Sequence, residues 1–108
     1  MKSSGWQRAL DEFAARVRKA YNGGLDGLIL YGSRARGTAH EHSDVDVLVV
    51  MNSLGNFWTE LSRLQSLSGP IALEYDVVLS ALPVDATDFA DPTTPLLINA
   101  KREGKRVG

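Results

Sequence analysis

Cysteine is absent from the 108-residue chain, which excludes a disulfide framework and any thiolate metal site. No stretch approaches the ~20 apolar residues needed to span a bilayer. Arg8, Arg16, Arg18 and Lys19 interrupt the N-terminal segment, where a signal peptide would place its apolar run. A cytoplasmic setting without membrane contact is the expectation that remains. Positive charge is not in excess either, since 12 Lys and Arg stand against 13 Asp and Glu for a net charge of -1. Proteins that hold nucleic acid by its phosphates draw that energy from Lys and Arg displacing counterions. Direct nucleic-acid binding is therefore not expected. Lys101, Arg102, Lys105 and Arg106 do gather near the C-terminus, where cations suit a solvated helix end. Repeats and low-complexity tracts are lacking.

What is present is ordinary for a globular protein, with 44% hydrophobic and 23% charged residues. The length supports a single domain over residues 1–108, with one core and no second lobe. Trp6, Leu10, Phe13, Val17 and Tyr21 recur at three- and four-residue intervals, the stripe of an amphipathic helix. Ser3 or Ser4 can cap it and Gly23-Gly24 can end it. Leu25 to Tyr31 reads as a strand running into Gly32-Ser33. Arg34 to Ser43 reads as a polar loop with room for one helical turn. Val45 to Met51 is almost unbroken apolar sequence, which predicts a central strand covered on both faces.

Ser53 or Asn56 can open a second helix that buries Phe57, Leu61, Leu64 and Leu67 and closes at Ser68-Gly69-Pro70. Ile71 to Leu79 alternates, with Ile71, Leu73, Tyr75, Val77 and Leu79 on one side and Glu74 and Asp76 on the other, as in a third strand. Pro83 to Pro95 reads as a connecting loop. Pro95 suits the first turn of a last helix over residues 96–103, ended by Gly104. This order predicts an α/β (α+β) domain, a small sheet of three or four strands flanked by helices.

The chemistry gathers in Gly32-Ser33-Arg34-Ala35-Arg36-Gly37 and Ser43-Asp44-Val45-Asp46-Val47. Residues two apart on a strand point the same way, so Asp44 and Asp46 project together from the start of an apolar strand. Two crowded carboxylates repel and lose hydration. A hard divalent cation such as Mg2+ relieves both penalties. A bare Asp-x-Asp is also a common solubilising strand end, and Gly-Ser after a strand is a common turn. The informative feature is the combination, with ten residues between Ser33 and Asp44 and each motif at a strand boundary. Backbone N–H groups of such a turn, with the serine hydroxyl, can approach a polyphosphate closely. Arg34 and Arg36 follow directly; one can clamp phosphate through paired hydrogen bonds, and the other can face solvent or pair with Glu41. His40 and His42 fit a loop surface better than a metal site.

Gly32-Ser33, ten residues and Asp44-Val45-Asp46 resemble the signature of the DNA polymerase beta-like nucleotidyltransferase superfamily. The run Gly-Ser-Arg-Ala-Arg-Gly followed by Ser-Asp-Val-Asp-Val is similar to its minimal nucleotidyltransferase branch. The resemblance takes in most of the chain, from the leading helix to a final helix near Leu97-Ile98-Asn99. It implies a nucleotidyltransferase fold with one or two Mg2+ ions on Asp44 and Asp46. Gly32 and Ser33 would hold the β- and γ-phosphates of a nucleoside triphosphate. It also implies a third acid on a later strand, to complete a second metal site and deprotonate the acceptor. Asp76 is the choice for that acid, with Glu74 its rival.

Within 108 residues no room is expected for fingers, a thumb, a basic channel or an added helical domain to enclose a drug. Minimal members of this kind resemble antitoxins of two-gene pairs that attach AMP from ATP to a tyrosine of a helical HEPN-class toxin. The resemblance thus implies a protein adenylyltransferase acting as an antitoxin. A nucleotide-binding antitoxin acting by contact alone and a small-molecule, aminoglycoside-type adenylyltransferase are the alternatives. Leu96, Leu97 and Ile98 are expected to pack on the sheet rather than form the partner interface.

Overall fold

The computed structural model describes residues 5–40 and 42–107. The expected capping role of Ser3 or Ser4 and the expected partner Glu41 lie outside them. Elements follow in the order α1 (Gly5–Ala20), β1 (Leu25–Tyr31), α2 (Ser33–Arg36), β2 (Val45–Met51), α3 (Phe57–Tyr75), β3 (Leu79–Asp85), α4 (Ala86–Ala90), α5 (Pro95–Glu103) and β4 (Lys105–Arg106). The four strands form one mixed sheet in the order β3-β2-β1-β4. Its β1–β2 and β1–β4 pairs are antiparallel and its β2–β3 pair is parallel. The domain is thus the expected α/β arrangement, a small mixed sheet between helices.

Strand alternation sorts the core into two layers. Val45, Val47, Val49 and Met51 of β2, with Leu28 and Leu30 of β1, face Phe13 and Val17 of α1 and Leu64 and Ile71 of α3. Leu48 and Val50, with Ile29 of β1 and Val84 of β3, meet Ala100 of α5 on the other side. β2 is central and covered on both faces, as its unbroken apolar run predicts. The α1 stripe is buried from Leu10 to Tyr21 as expected, and Trp6 packs at its edge. Leu96–Ile98 depart from expectation, because only Leu97 reaches the sheet. Leu96 and Ile98 remain exposed, since a helix turns successive residues to different sides. Lys105 and Arg106 likewise form a short edge strand instead of a helix end.

The stretch after Leu67 is a larger correction. Asn56 caps α3, its side chain accepting from the Thr59 N–H at 2.9 Å, but the helix does not stop at Ser68-Gly69-Pro70. It runs through Pro70 to Tyr75, and Asp76 caps its C-terminus in the left-handed region at φ 52. Leu64, Ser68 and Ile71 are buried at helical spacing, while Leu73, assigned to the same strand face as Ile71, is 86% exposed. The third strand consequently starts where it was expected to end. Residues 83–85 complete it, and α4 occupies part of the expected loop.

Proline inside a helix lacks the N–H for the i→i−4 bond and crowds the preceding turn, at about 3 kcal/mol. Part of that is offset by the stiffer unfolded chain, about 1 kcal/mol. Pro70→Ala should therefore raise stability by about 2 kcal/mol and increase the helical circular-dichroism signal. A drop in the melting temperature would contradict a helix continuous through residue 70.

Asp85 ties the end of β3 to two neighbours. Its carboxylate accepts from the Leu54 N–H at 2.7 Å and from the Thr87 N–H at 3.1 Å, capping α4. These donors, Leu54 first, hold the carboxyl below its ordinary value. A depressed folded-state pKa adds stability above the unfolded value of ~3.9, and that stability is lost as pH falls through the depressed value. Asp85→Ala should lower the melting temperature at pH 7, and the gap to the parent should close in acid below about pH 4. A gap independent of pH would assign the effect to something other than the ionised carboxylate.

Candidate active site

The site is built on the β1–β2 hairpin. Antiparallel register sets Tyr31 opposite Asp46, so the residue after Tyr31 turns away from the sheet beside the Asp46 side chain. That residue is Gly32, at φ 74 and ψ -156, a region essentially reserved for glycine. A Cβ on Gly32 would lie 2.5 Å from Asp46 Oδ2. The absent side chain is what allows the carboxylate to lie against the turn. The Gly32 carbonyl accepts from the Ala35 and Arg36 N–H groups, each at 3.1 Å, which starts the single turn of α2 with Ser33 as its first residue. Gly37 ends that turn in the left-handed conformation.

Asp46 alternates with the buried Val45 and Val47 and so lies on the face of Leu48 and Val50. It is half-buried, with Asp44 exposed just ahead of the strand. Burial pushes the Asp46 carboxyl up first, the nearby Asp44 charge adds to this, and Arg36 opposes both. The turn and the acid pair therefore converge, with negative charge concentrated on one side of the sheet.

The two arginines take different positions. Arg34 stacks its guanidinium 5.0 Å over the Trp6 ring and donates to the Ser43 carbonyl at 3.1 Å. It braces the loop between the motifs. Arg36 is the one whose charge acts on Asp46, and it also reaches Glu103 of α5 at 3.5 Å. His40 and His42 close a tight turn, with the His40 N–H donating to Ser43 Oγ at 2.9 Å.

Asp76 is not mid-strand and does not share a strand face with Glu74, because both belong to the end of α3. It lines a cavity of about 280 Å³ with Arg34, His42, Ser43, Val77 and Val78. Among the described residues, no three His, Cys, Asp or Glu side chains group closely enough to hold a metal ion together. Sequence reasoning missed Tyr31 and Ser80. Tyr31 is half-buried across from Asp46, and burial followed by the Asp46 charge pushes its hydroxyl up. Ser80 pairs with Asp46 from the other side, across the parallel β2–β3 ladder. Counting back from the two motifs along an antiparallel hairpin finds Tyr31. Ser80 is found only once β3 is placed correctly.

Comparison with known proteins identifies the family. A family model described as a nucleotidyltransferase domain matches residues 10–98. A protein of Methanocaldococcus jannaschii named "putative protein adenylyltransferase" is 32% identical over 76 residues, covering 70% of this chain and 70% of that protein. A second protein of the same organism and name is 49% identical over 45 residues, 42% of this chain, and the matched segment spans only 31% of that relative's length. A solved toxin–antitoxin structure with AMP-PNP superimposes at a TM-score of 0.59 and 20% identity, over 93% of this chain and 70% of that one. At that identity the likeness speaks for the fold. The chain belongs to the nucleotidyltransferase-domain family.

No helix among the described residues is long and apolar enough to cross a membrane.

Proposed function

We propose that the chain is a magnesium-dependent adenylyltransferase that moves AMP from ATP to a tyrosine hydroxyl of a helical HEPN-class toxin and so acts as its antitoxin. The observation that carries this reading is the closeness of the Gly32 turn to the Asp46 carboxylate, which leaves no room for a Cβ on residue 32. It supports a reading in which the turn holds phosphate and the acid pair beside it holds a cation. The donor set fits Mg2+, which takes one or two protein carboxylates with phosphate oxygens completing the shell. Asp44 and Asp46 supply two hard oxygen ligands, and their mutual repulsion is what a cation would relieve. A cation held there would stabilise charge on the triphosphate oxygens.

The remaining work falls to the chain itself. Gly32 and Ser33 offer backbone N–H groups and a hydroxyl to the β- and γ-phosphates, and Arg36 adds a fixed positive charge beside Asp46. In the transfer, the tyrosine oxygen bonds to the α-phosphorus, the α–β bridging bond breaks and pyrophosphate leaves. Asp76, in the cavity beside Ser43, is the acid proposed to take the acceptor's proton. Support for the acceptor class comes from the relatives' name and the toxin–antitoxin neighbour.

The test mixes the chain with its toxin, Mg2+ and α-labelled ATP. Label should appear on the toxin and disappear with Asp44→Ala or without the cation. Neutralisation by Asp44→Ala without label would make the chain a contact antitoxin. Pyrophosphate release with a hydroxylated drug and no protein partner would make it a small-molecule enzyme.

A further inference from the structure

We infer that Trp6 of α1 is a positioning residue for the nucleotide site, acting through Arg34, which ties the Gly32-Ser33 turn to the loop that delivers Asp44. The inference rests on the Mg2+-nucleotide reading of the site. Asp44 lies outside the β1–β2 ladder, whose pair nearest the loop is Tyr31 with Asp46. Its place is set by its two chain neighbours. After it, the Val45 N–H donates to the Val78 carbonyl at 2.8 Å, which fixes that side to the residue just ahead of β3. Before it, the Ser43 N–H donates to the His40 carbonyl at 3.0 Å, and the His40 N–H donates to Ser43 Oγ at 2.9 Å. Those two bonds close a turn on itself without attaching it to α2. The Arg34 guanidinium makes the attachment, donating to the Ser43 carbonyl at 3.1 Å.

An arginine side chain samples many rotamers, and ordering it for a hydrogen bond consumes much of what the bond gives. Trp6 reduces that cost. The Arg34 guanidinium carbon lies 5.0 Å from the centre of the Trp6 ring, inside the ~6 Å reach of cation–π attraction. The ring is itself held, since Trp6 packs against the core on the helical stripe of the buried Leu10 and Phe13. A helix that supplies neither the turn nor the acids thereby supports the join between them. When the join loosens, fewer chains have the site assembled, and apparent nucleotide affinity falls by that fraction.

The test titrates the full chain with Mg2+-ATP by calorimetry, records melting curves, and follows amide hydrogen exchange at Ser43 without nucleotide. Trp6→Leu should weaken binding about threefold, the size of a partly exposed cation–π contact. Arg34→Gln, which also loses the charged donor to Ser43, should weaken it about tenfold. The double variant should match Arg34→Gln alone, because Trp6 acts through Arg34. Trp6→Phe keeps an aromatic face and should stay within about twofold of the parent. The Ser43 amide should exchange faster in Trp6→Leu and in Arg34→Gln. A Trp6→Leu protein that melts lower yet binds Mg2+-ATP and exchanges at Ser43 as the parent does would overturn the inference and leave Trp6 a core residue. Losses that multiply in the double variant would overturn it equally. A parent that does not bind Mg2+-ATP, while its Ser43 exchange still responds to Trp6→Leu, would remove the nucleotide-site reading, and the positioning role with it.

Discussion

Asp46→Asn should lower AMP transfer by about a thousandfold while leaving the fold intact. If Asp46 is one of two charged ligands to a catalytic cation, as proposed, its loss forfeits several kcal/mol of transition-state charge stabilisation, and each 1.36 kcal/mol is a factor of about ten. The same replacement should leave thermal stability unchanged or slightly improved at neutral pH. The sign follows from linkage. Burial and the Asp44 charge raise the folded-state pKa of Asp46, so the unfolded chain releases this proton more readily. Stability then falls as pH rises through the window between the two values, and stays reduced above it. A neutral amide of the same shape removes that penalty. Activity lost together with a lowered melting temperature would show a structural role for Asp46 instead. The experiment pairs single-turnover transfer rates with melting curves on the same preparations.

Gly32→Ala should be nearly as damaging through a different route. Alanine cannot adopt φ 74 and ψ -156 without about 1–3 kcal/mol of strain. Its methyl group would also lie 2.5 Å from Asp46 Oδ2, so the carboxylate must move or the turn must reopen. Either response separates the turn proposed to face phosphate from the carboxylate proposed to hold the cation. Affinity for Mg2+-ATP should fall about 10–100-fold, by the usual 1.4 kcal/mol per decade, and melting should shift downward. Gly37→Ala is the matched control. Gly37 is also left-handed, at φ 78, but a Cβ there meets nothing within 4 Å. It should cost stability without the loss of affinity. Equal losses of affinity at both positions would mean that backbone strain, not contact with Asp46, sets the effect.

The parts of the site legible in the sequence are those whose geometry is local. Gly32 and Asp46 meet because one hairpin carries both, and the strand Val45–Met51 announces its central place by its apolar composition. Strand periodicity predicts Asp44 and Asp46 on one side, and they do lie close enough for the Asp44 charge to act on Asp46, although Asp44 stands just ahead of β2. The third strand was not legible in the same way. Ser68-Gly69-Pro70 has the composition of a helix stop, and Ile71 to Leu79 alternates well enough to suggest a strand. The same residues also continue the helical stripe of Leu64, Ser68 and Ile71. Packing of that stripe on α1 and the sheet, joined through Leu64 and Ile71 in one core cluster, outweighs the local cost of Pro70. Every assignment that depended on the misplaced strand moved with it: Asp76 became a helix cap, Glu74 went to the helix surface, and Ser80 appeared opposite Asp46. Arg34 and Arg36 could not be told apart from sequence, because the distinction rests on contacts with Trp6 and Glu103 far along the chain.

Calorimetric titration of the chain with ATP, with and without Mg2+, bears most directly on whether turn and acid pair form one pocket. Binding should require the cation in the parent and be weakened at least about tenfold in both Asp46→Asn and Gly32→Ala. Nucleotide binding that is indifferent to Mg2+ and survives both replacements would place the ligand elsewhere and leave the convergence at Gly32 and Asp46 without a function.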